Sequence, residues 1–459
     1  MKIILVVHQF LPEYFAGTEI LTFEVAKGLR KRGHSVTVLT AFPDETLLAE
    51  DERFDEYEIE NIKVHRYHHS YAQATQRGSY IEHQYNNEIS AKYFSALISE
   101  LKPDVVHFLH LSRLGTSLIE VAIKHGIPGF ITLTDFWMIC PTSTLMLPTG
   151  KSCGGPMQNA GNCVKHLAQV TKLAKVSGVL DRIPDAFFEY ASTLYKKNPQ
   201  LNLPYRHEIV AAGNRRDINI QRLNALTKVI SPTSLMTQVM VANGVHREKI
   251  VETGYGISVS GHGNARVRKR GDGVLTLGFI GTLSSHKGCH VLIEAFARLV
   301  GRYPVKLKIY GNPEEFPDYA ASLKQAAVDF PEIEFCGVFP NSEIAAVLSG
   351  IDVLVVPSLW FENTPLVIHS ALAARCPVVA SNYPGMSEAV HHGENGLLFK
   401  PGSSEALAEQ LQCLFDNPEL LEKLSGNCKP PKSIGEHVEE LLQIYASDSG
   451  SGPNLDVSP

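Results

Sequence analysis

Short apolar segments of strand length alternate with amphipathic segments of helix length, and they do so in two series. The first opens with Lys2 to Val7, a run with no polar interruption after the lysine. A loop, His8 to Gly17, leads to a segment from about Thr18 to Arg32, where Ile20, Leu21, Val25 and Leu29 recur at helical spacing. Thr18 is the expected cap and Gly33 the expected stop, and Ser35 to Thr40 reads as the next strand. A strand–loop–helix–strand unit implies parallel strands joined by a right-handed crossover. The alternation continues with Asp104–Phe108 (strand), Leu114–Lys124 (helix), Pro128–Leu133 (strand), Thr227–Ser231 (strand) and Pro232–Ala242 (helix). Between Asp135 and about Arg222 it fails, and that stretch reads as an insertion containing helix-like segments such as Ile183 to Lys197.

Residues 258–273 are polar, glycine-rich and basic, as an interdomain linker is. Beyond them the second series begins: strand Val274–Ile280, helix Lys287–Leu299, strands Val305–Tyr310, Ile333–Cys336 and Asp352–Val356, helix Pro365–Arg375, strand Pro377–Ala380. The expected class is therefore α/β, with two doubly wound, Rossmann-like domains facing a central cleft. The expected divisions are 1–257 with an insertion at about 136–222, a linker at 258–273, 274–430, a C-terminal helix over 431–447 with a return onto the first domain as one placement, and a disordered tail over 448–459. A length of 459 residues agrees with two cores rather than one.

Composition removes several alternatives. A net charge of −6 does not suit a nucleic-acid binder, and no apolar run approaches the roughly 18–20 residues of a membrane span. The basic-then-apolar start stops at His8 with no small-residue cleavage site after it, so it reads as a buried strand rather than a signal peptide. Cys289, Cys336, Cys376, Cys413 and Cys428 are scattered singly, which suits reduced thiols and a cytoplasmic location.

Three loops carry candidate chemistry. Pro357 to Ser370 (PSLWFENTPLVIHS) follows a buried strand and enters a helix, with Thr364 as the expected cap and Pro365 at the first helical position. Free N–H groups of Leu366 and Val367 at such a start make an anion site that suits a diphosphate, and Glu362 can accept hydrogen bonds from sugar hydroxyls. Gly278 to Gly288 (GFIGTLSSHKG) lies at the end of the first strand of the second series, with Lys287 at the opening of the next helix, where its ammonium can meet a phosphate. Gly17 stands where the first loop enters a helix; one glycine is not the three-glycine dinucleotide fingerprint, so a nicotinamide dehydrogenase is disfavoured.

Together these stretches, with Ser231-Pro-Thr, Asn243-Gly, Tyr255-Gly-Ile and Asn395-Gly-Leu-Leu-Phe399, resemble the family 4 retaining glycosyltransferases, which have the GT-B fold. The resemblance implies a transferase that moves a sugar from a nucleoside diphosphate sugar to a glycan, lipid-linked or small-molecule acceptor. It implies that Gly17 lies beside donor phosphates and acceptor, and that Lys287 binds the diphosphate and stabilises the leaving group. It implies that Glu362 contacts the transferred sugar, that Asn363, Thr364, Pro365 and Leu366 supply contacts to sugar and phosphate, and that Gly337 and Val338 lie near the base. The leaving phosphate can itself serve as base, so no catalytic cofactor or divalent metal is expected.

Three positions depart from the family pattern. Ser370 stands where a second glutamate binds the donor ribose, Thr282 where an arginine partners the lysine, and Thr134 where a histidine precedes Asp135. Asp135 is retained and is counted with Lys287 and Glu362 as a catalytic candidate. The departures support an alternative, a catalytically silent GT-B scaffold or binding subunit of a glycan-assembly complex; a nucleotide-sugar epimerase is a third reading.

Cys140, Cys153, Cys163 and His166 fall close together. Three thiols and an imidazole suit a structural zinc, but the spacing Cys-x12-Cys-x9-Cys-x2-His matches no common finger, and incidental thiols in a loop are the other reading. The basic clusters at residues 30–32 and 266–270 read as solvated surface or linker, with peripheral contact to anionic lipid as the alternative. His65, His68 and His69 read as surface, and His107 and His110 as lining of the cleft.

Overall fold

A computed structural model of the chain describes residues 1–76, 78–147, 151–170, 177–198, 200, 204–258, 267–268, 273–363 and 365–447. Two compact units result, one from Met1–Gly254 together with the helical residues from His437, the other from Tyr255–Glu436. The division drawn at residue 257 moves to Gly254/Tyr255, because Ile257 bridges to Ser433 within the second unit. Most of the linker stretch, and all of 448–459, lie outside the described residues.

Among the described residues unit 1 holds eight strands: β1 (Lys2–Val6), β2 (Ser35–Pro43), β3 (Phe54–Ile59), β4 (Ile62–His69), β5 (Val105–Phe108), β6 (Gly129–Thr132), β7 (Lys228–Ser231) and β8 (Ile250–Glu252). Their order is β3-β4-β2-β1-β5-β6-β7-β8, and every pairing but β3–β4 is parallel. The central strands β1, β5 and β6 are buried almost throughout, as expected of parallel strands covered on both faces. The β3–β4 hairpin escapes the reading of the sequence. Its strands are mostly polar, and its tight turn is made by Glu60 and Asn61, both left-handed (φ 45° and 62°), rather than by the usual Asn-Gly. Because β4 lies inside the sheet, His65 and His69 are buried rather than surface residues, and His68 is half-buried against Asp44 and Asp55.

The first helix spans Gly17–Lys31 with Ala16 as its uncapped N-cap, so Thr18 is inside the helix and its carbonyl accepts from the Thr22 hydroxyl. The insertion is helical over Gly161–Val170, Ser177–Asp181, Asp185–Lys197 and Arg206–Ala225. The last of these carries Arg215, fully buried, which donates to Gln84 Oε1 and the Trp137 carbonyl and lies 4.7 Å over the Trp137 ring. A buried guanidinium is tolerated only when its donors are satisfied in this way. The helix Ile434–Ser447 contributes Val438 against Gly28, and Tyr445, whose hydroxyl meets His107 Nδ1 and whose ring lies 4.9 Å from Phe130. His107, held on its other nitrogen by Thr132, is thus a core residue and lines no cleft.

Among the described residues unit 2 holds six parallel strands: β9 (Leu275–Ile280), β10 (Val305–Tyr310), β11 (Ile333–Gly337), β12 (Val353–Val356), β13 (Val378–Ser381) and β14 (Gly396–Phe399), in the order β11-β10-β9-β12-β13-β14. Alternate residues of β12 serve opposite cores. Val353 and Val355 face the helices Cys289–Leu299 and Ser404–Asp416, while Leu354 and Val356 pack with Ile368 and Ala371 of the helix Leu366–Ala373. Each such buried aliphatic contributes roughly 1.5–3 kcal/mol of burial free energy, which explains why β12 has no polar side.

Candidate active site

The order of strands in unit 2 places a switch point between β9 and β12: the chain leaving β9 goes toward β10 and the chain leaving β12 goes toward β13. Loops at the carboxyl ends of two such strands diverge and leave a crevice, the usual ligand position in a doubly wound sheet. Lys287 stands on the loop after β9 and Glu362 on the loop after β12. Lys287 does not open the long helix. It ends a short 3-10 turn, Ser285–Lys287, and Gly288 (φ 72°) intervenes before the helix starts at Cys289.

The two loops are locked to each other. The Leu359 N–H donates to the His286 carbonyl at 2.8 Å, and a Cβ on Gly288 would collide with the Pro357 carbonyl. Lys287 Nζ then lies 2.6 Å from Glu362 Oε1. The same oxygen accepts from Ser358 Oγ and Trp360 Nε1, each at 2.8 Å, and the ammonium lies 5.2 Å over the Trp360 ring. Among the described residues Glu362 Oε2 has no partner, so one oxygen of this buried carboxylate remains able to accept from a ligand. Burial, with Lys287 adding to it, pulls the neighbouring His286 imidazole down to about 4, so the group beside the ammonium is uncharged at neutral pH.

A third segment supports Glu362 from behind. A Cβ on Gly385 would run into the Glu362 carbonyl oxygen, Tyr383 donates to the Leu359 carbonyl at 3.0 Å, and Asn363 Nδ2 donates to the Tyr255 hydroxyl at 3.0 Å. The helix after the loop starts one residue later than the spacing predicts: Pro365 is its N-cap, without a side-chain cap, and Leu366 its first residue. Thr364 lies outside the described residues. Ser370 is turned back into the helix, its hydroxyl donating to the Leu366 carbonyl at 3.2 Å. Thr282 lies two residues past β9, and Gly337 (φ 71°) closes β11 with Val338 exposed beyond it.

Unit 1 has its own switch point, between β1 and β5, and a polar cluster has formed there. Asp135 Oδ2 lies 3.1 Å from His110 Nε2, while its Oδ1 accepts from the Trp137 N–H at 2.7 Å. The Ser112 N–H donates to His110 Nδ1, so the ring proton is on Nε2 and points at Asp135. The His110 ring lies 4.1 Å from the His8 ring, tilted by 44°, and His8 Nε2 stands 3.7 Å from Glu19 Oε1. Burial, with His110 and Arg113 adding to it, pushes His8 well below its usual value, and burial raises Glu19. Among the described residues, His8 Nδ1 and Glu19 Oε2 are buried without a partner. Gly17 begins the helix that carries Glu19. His8 and Glu19 were not singled out by sequence; the sign available was their position at the end of a fully apolar strand and in the first turn of the following helix.

Cys140, Cys153, Cys163 and His166 line one small cavity in unit 1. Burial, with the Cys140 and Cys153 sulfurs adding to it, pushes the Cys163 thiol up to about 12. Among the described residues, no three His, Cys, Asp or Glu side chains stand in a ready-made metal-binding arrangement.

Comparison with known proteins assigns the chain. Residues 15–139 match the model of glycosyltransferase family 4, and residues 275–417 match that of glycosyl transferases group 1. The chain belongs to the family 4 (group 1) glycosyltransferases. It is 33% identical over 187 residues to the D-inositol 3-phosphate glycosyltransferase of Corynebacterium glutamicum, covering 38% of this chain and 44% of that protein. It is 30% identical over 244 residues to the amylovoran biosynthesis glycosyltransferase AmsK of Erwinia amylovora, covering 48% and 58%. The match thus spans about half the length of these relatives or less than two thirds of it. Among solved structures, Anabaena HepE in complex with UDP-glucose superposes with a TM-score of 0.61 at 17% identity, over 96% of this chain and 99% of that one. A glycosyltransferase from Rickettsia africae gives 0.63 at 16%, over 98% and 99%. At these identities the likeness establishes the GT-B fold, with its two Rossmann-like domains. Among the described residues no helix is long and apolar enough to cross a membrane.

Proposed function

We propose that this family 4 glycosyltransferase transfers a sugar from a nucleoside diphosphate sugar, with retention of configuration, to a glycan, lipid-linked or small-molecule acceptor. The observation that carries the reading is the Lys287–Glu362 pair at the switch point of unit 2, a cation and a half-satisfied carboxylate on two interlocked loops. Departure of a nucleoside diphosphate builds negative charge on the oxygen that leaves the anomeric carbon. An ammonium held in a partly buried loop stabilises that charge without reorganising. Lys287 supplies it, with the N–H groups at the start of the helix Leu366–Ala373 as the second source of positive potential. Glu362 Oε2 accepts from hydroxyls of the transferred sugar and so orients it. In a retaining reaction the acceptor hydroxyl arrives on the face that the diphosphate leaves, and its proton passes to the departing phosphate oxygen. No protein nucleophile is required for that balance. Gly17, Thr282, Asn363, Thr364, Pro365 and Leu366 are proposed donor contacts, Gly337 and Val338 the base contacts, and Asp135 an orienting group on unit 1.

One observation favours a second reading, a donor-binding or scaffold subunit without turnover: Ser370 offers no carboxylate to a ribose, and its hydroxyl is already engaged within its own helix. A panel of nucleotide sugars screened by thermal shift separates the two, since a ligand that binds only the folded chain raises its melting temperature. The transferase reading expects a shift with at least one nucleoside diphosphate sugar and a product whose anomeric configuration, read by proton NMR, equals that of the donor. An inverted product removes the retaining mechanism; no shift from any nucleotide sugar at millimolar concentration favours the scaffold.

A further inference from the structure

After β6 the chain of unit 1 runs from Leu133 to Ala160 without a helix or ladder strand among its described residues; an isolated bridge between Met146 and Ser152 is the sole β pairing there. Loops longer than about 12–15 residues without secondary structure are uncommon in compact domains unless something else holds them. Three non-glycine residues of this one, Ser143, Leu145 and Ala160, are left-handed (φ 65°, 49° and 54°). Each such residue costs roughly 1–2 kcal/mol. Turn hydrogen bonds, such as Phe136 N–H to the Ser143 carbonyl and Cys153 N–H to the Leu145 carbonyl, with Arg215 and Asn219 donating to the Trp137 and Met138 carbonyls, hold the loop in place of a ladder.

Four side chains with metal-ligand chemistry converge on one cavity at this loop. Cys140 comes from its first turn, Cys153 from just past the bridge, and Cys163 and His166 from one face of the helix Gly161–Val170, three residues apart. Their existing partners are weak or missing. Cys140 Sγ meets Thr142 Oγ1 at 3.3 Å and Cys153 Sγ the Gly155 carbonyl at 3.8 Å. Among the described residues Cys163 and His166 have no hydrogen-bond partner, although both are buried. The other cysteines form no such group with a histidine: Cys376 and Cys428 share one core of unit 2, Cys289 lies in the other, and Cys413 is exposed.

We propose that Cys140, Cys153, Cys163 and His166 bind one Zn²⁺ as a structural site that pins the Leu133–Ala160 loop to the insertion. Three thiolates and a neutral imidazole complete a closed tetrahedral shell, with Zn–S near 2.3 Å and Zn–N near 2.0–2.1 Å, roughly the usual values. The three thiols release their protons to solvent as the metal binds, and nothing is oxidised or reduced. The four do not already stand in ligand geometry. Metal binding must draw them inward across the cavity, so it is coupled to a local shift of the loop against the helix Gly161–Val170. The proposal is independent of the transfer reaction, because no group assigned to donor or acceptor is among the ligands.

The test is metal content of the full chain purified without chelators, by inductively coupled plasma mass spectrometry, with Co²⁺ added to the stripped protein as a spectroscopic probe. One zinc per chain is expected, together with thiolate-to-cobalt charge-transfer bands and strong tetrahedral d–d absorption. C163S and H166A should lose most of the zinc, by about fivefold or more, while C413S keeps it. If C163S fails to fold, H166C decides instead: a four-cysteine shell keeps the zinc and changes the cobalt spectrum. Folded chain without zinc and without a cobalt–thiolate spectrum overturns the proposal, as does a disulfide between any two of the three cysteines in a non-reduced digest, or full zinc content in C163S.

Discussion

Lys287→Ala removes the ammonium from Glu362 Oε1 and leaves Ser358 and Trp360 as donors to that oxygen. Stripping the partner from a fully buried charge costs about 3–5 kcal/mol. Here the lysine side chain is 25% exposed and the carboxylate keeps two neutral donors, so the loss should be about 1–2 kcal/mol. The chain should stay folded. Turnover should suffer far more, because the charge opposite the leaving diphosphate is lost. Removing one preorganised stabilising group costs roughly 3–4 kcal/mol of transition-state energy, or about 10²–10³ in kcat. Urea unfolding and a nucleotide-release assay measure the two effects separately. E362Q and the double variant complete a cycle whose stability coupling should be about 1–2 kcal/mol. K287A turning over within about threefold of the parent would refute the assignment of this loop pair to the donor diphosphate.

Ser370→Glu places a carboxylate one helical turn into the helix that follows Glu362, and it should tighten donor binding several-fold in a titration; unchanged affinity would mean that the ribose is not bound there. Gly385→Ala drives a methyl into the Glu362 carbonyl and should both lower the melting temperature and abolish the donor-induced shift, while Gly426→Ala, with open space around its Cβ position, should do neither. Burial pulls His107 and His69 of unit 1 down to about 3, below their unfolded value near 6.5. The unfolded chain therefore binds more protons between these limits. Stability contributed by the neutral rings is present above pH 6.5 and is lost as pH falls toward 3, at up to about 1.4 kcal/mol per pH unit for each ring. H107Q should flatten that slope in acid-unfolding profiles monitored by intrinsic fluorescence.

Residues that serve the core were legible because their pattern is a physical necessity. β12 is apolar on both sides, and nothing else in an α/β protein looks like Val353–Val356. β3 and β4 were not legible, because an antiparallel edge hairpin needs only every second residue inside, and its turn has an unusual sequence. Lys287 and Glu362 could be singled out by their places after two strands, but the Trp360 and Ser358 hydrogen bonds that hold the carboxylate depend on a fold of the loop that no periodicity encodes. The histidines show the same limit. His107 and His110 are three residues apart, yet one is locked in the core by Thr132 and Tyr445 and the other meets Asp135 at the sheet end. The difference comes from Tyr445, more than three hundred residues later.

That late arrival has a consequence for synthesis. Unit 1 takes Val438 and Tyr445 into its interior, and both are translated only after all of Tyr255–Glu436. Domains ordinarily mature in the order in which they leave the ribosome. Here the segment that comes out first must wait, with His107 and Phe130 uncovered, while the one behind it can already close around β9–β14. A fragment ending at Gly254 should for the same reason be a client of chaperones rather than a free-standing domain, and the nascent chain should gain protease resistance in reverse order.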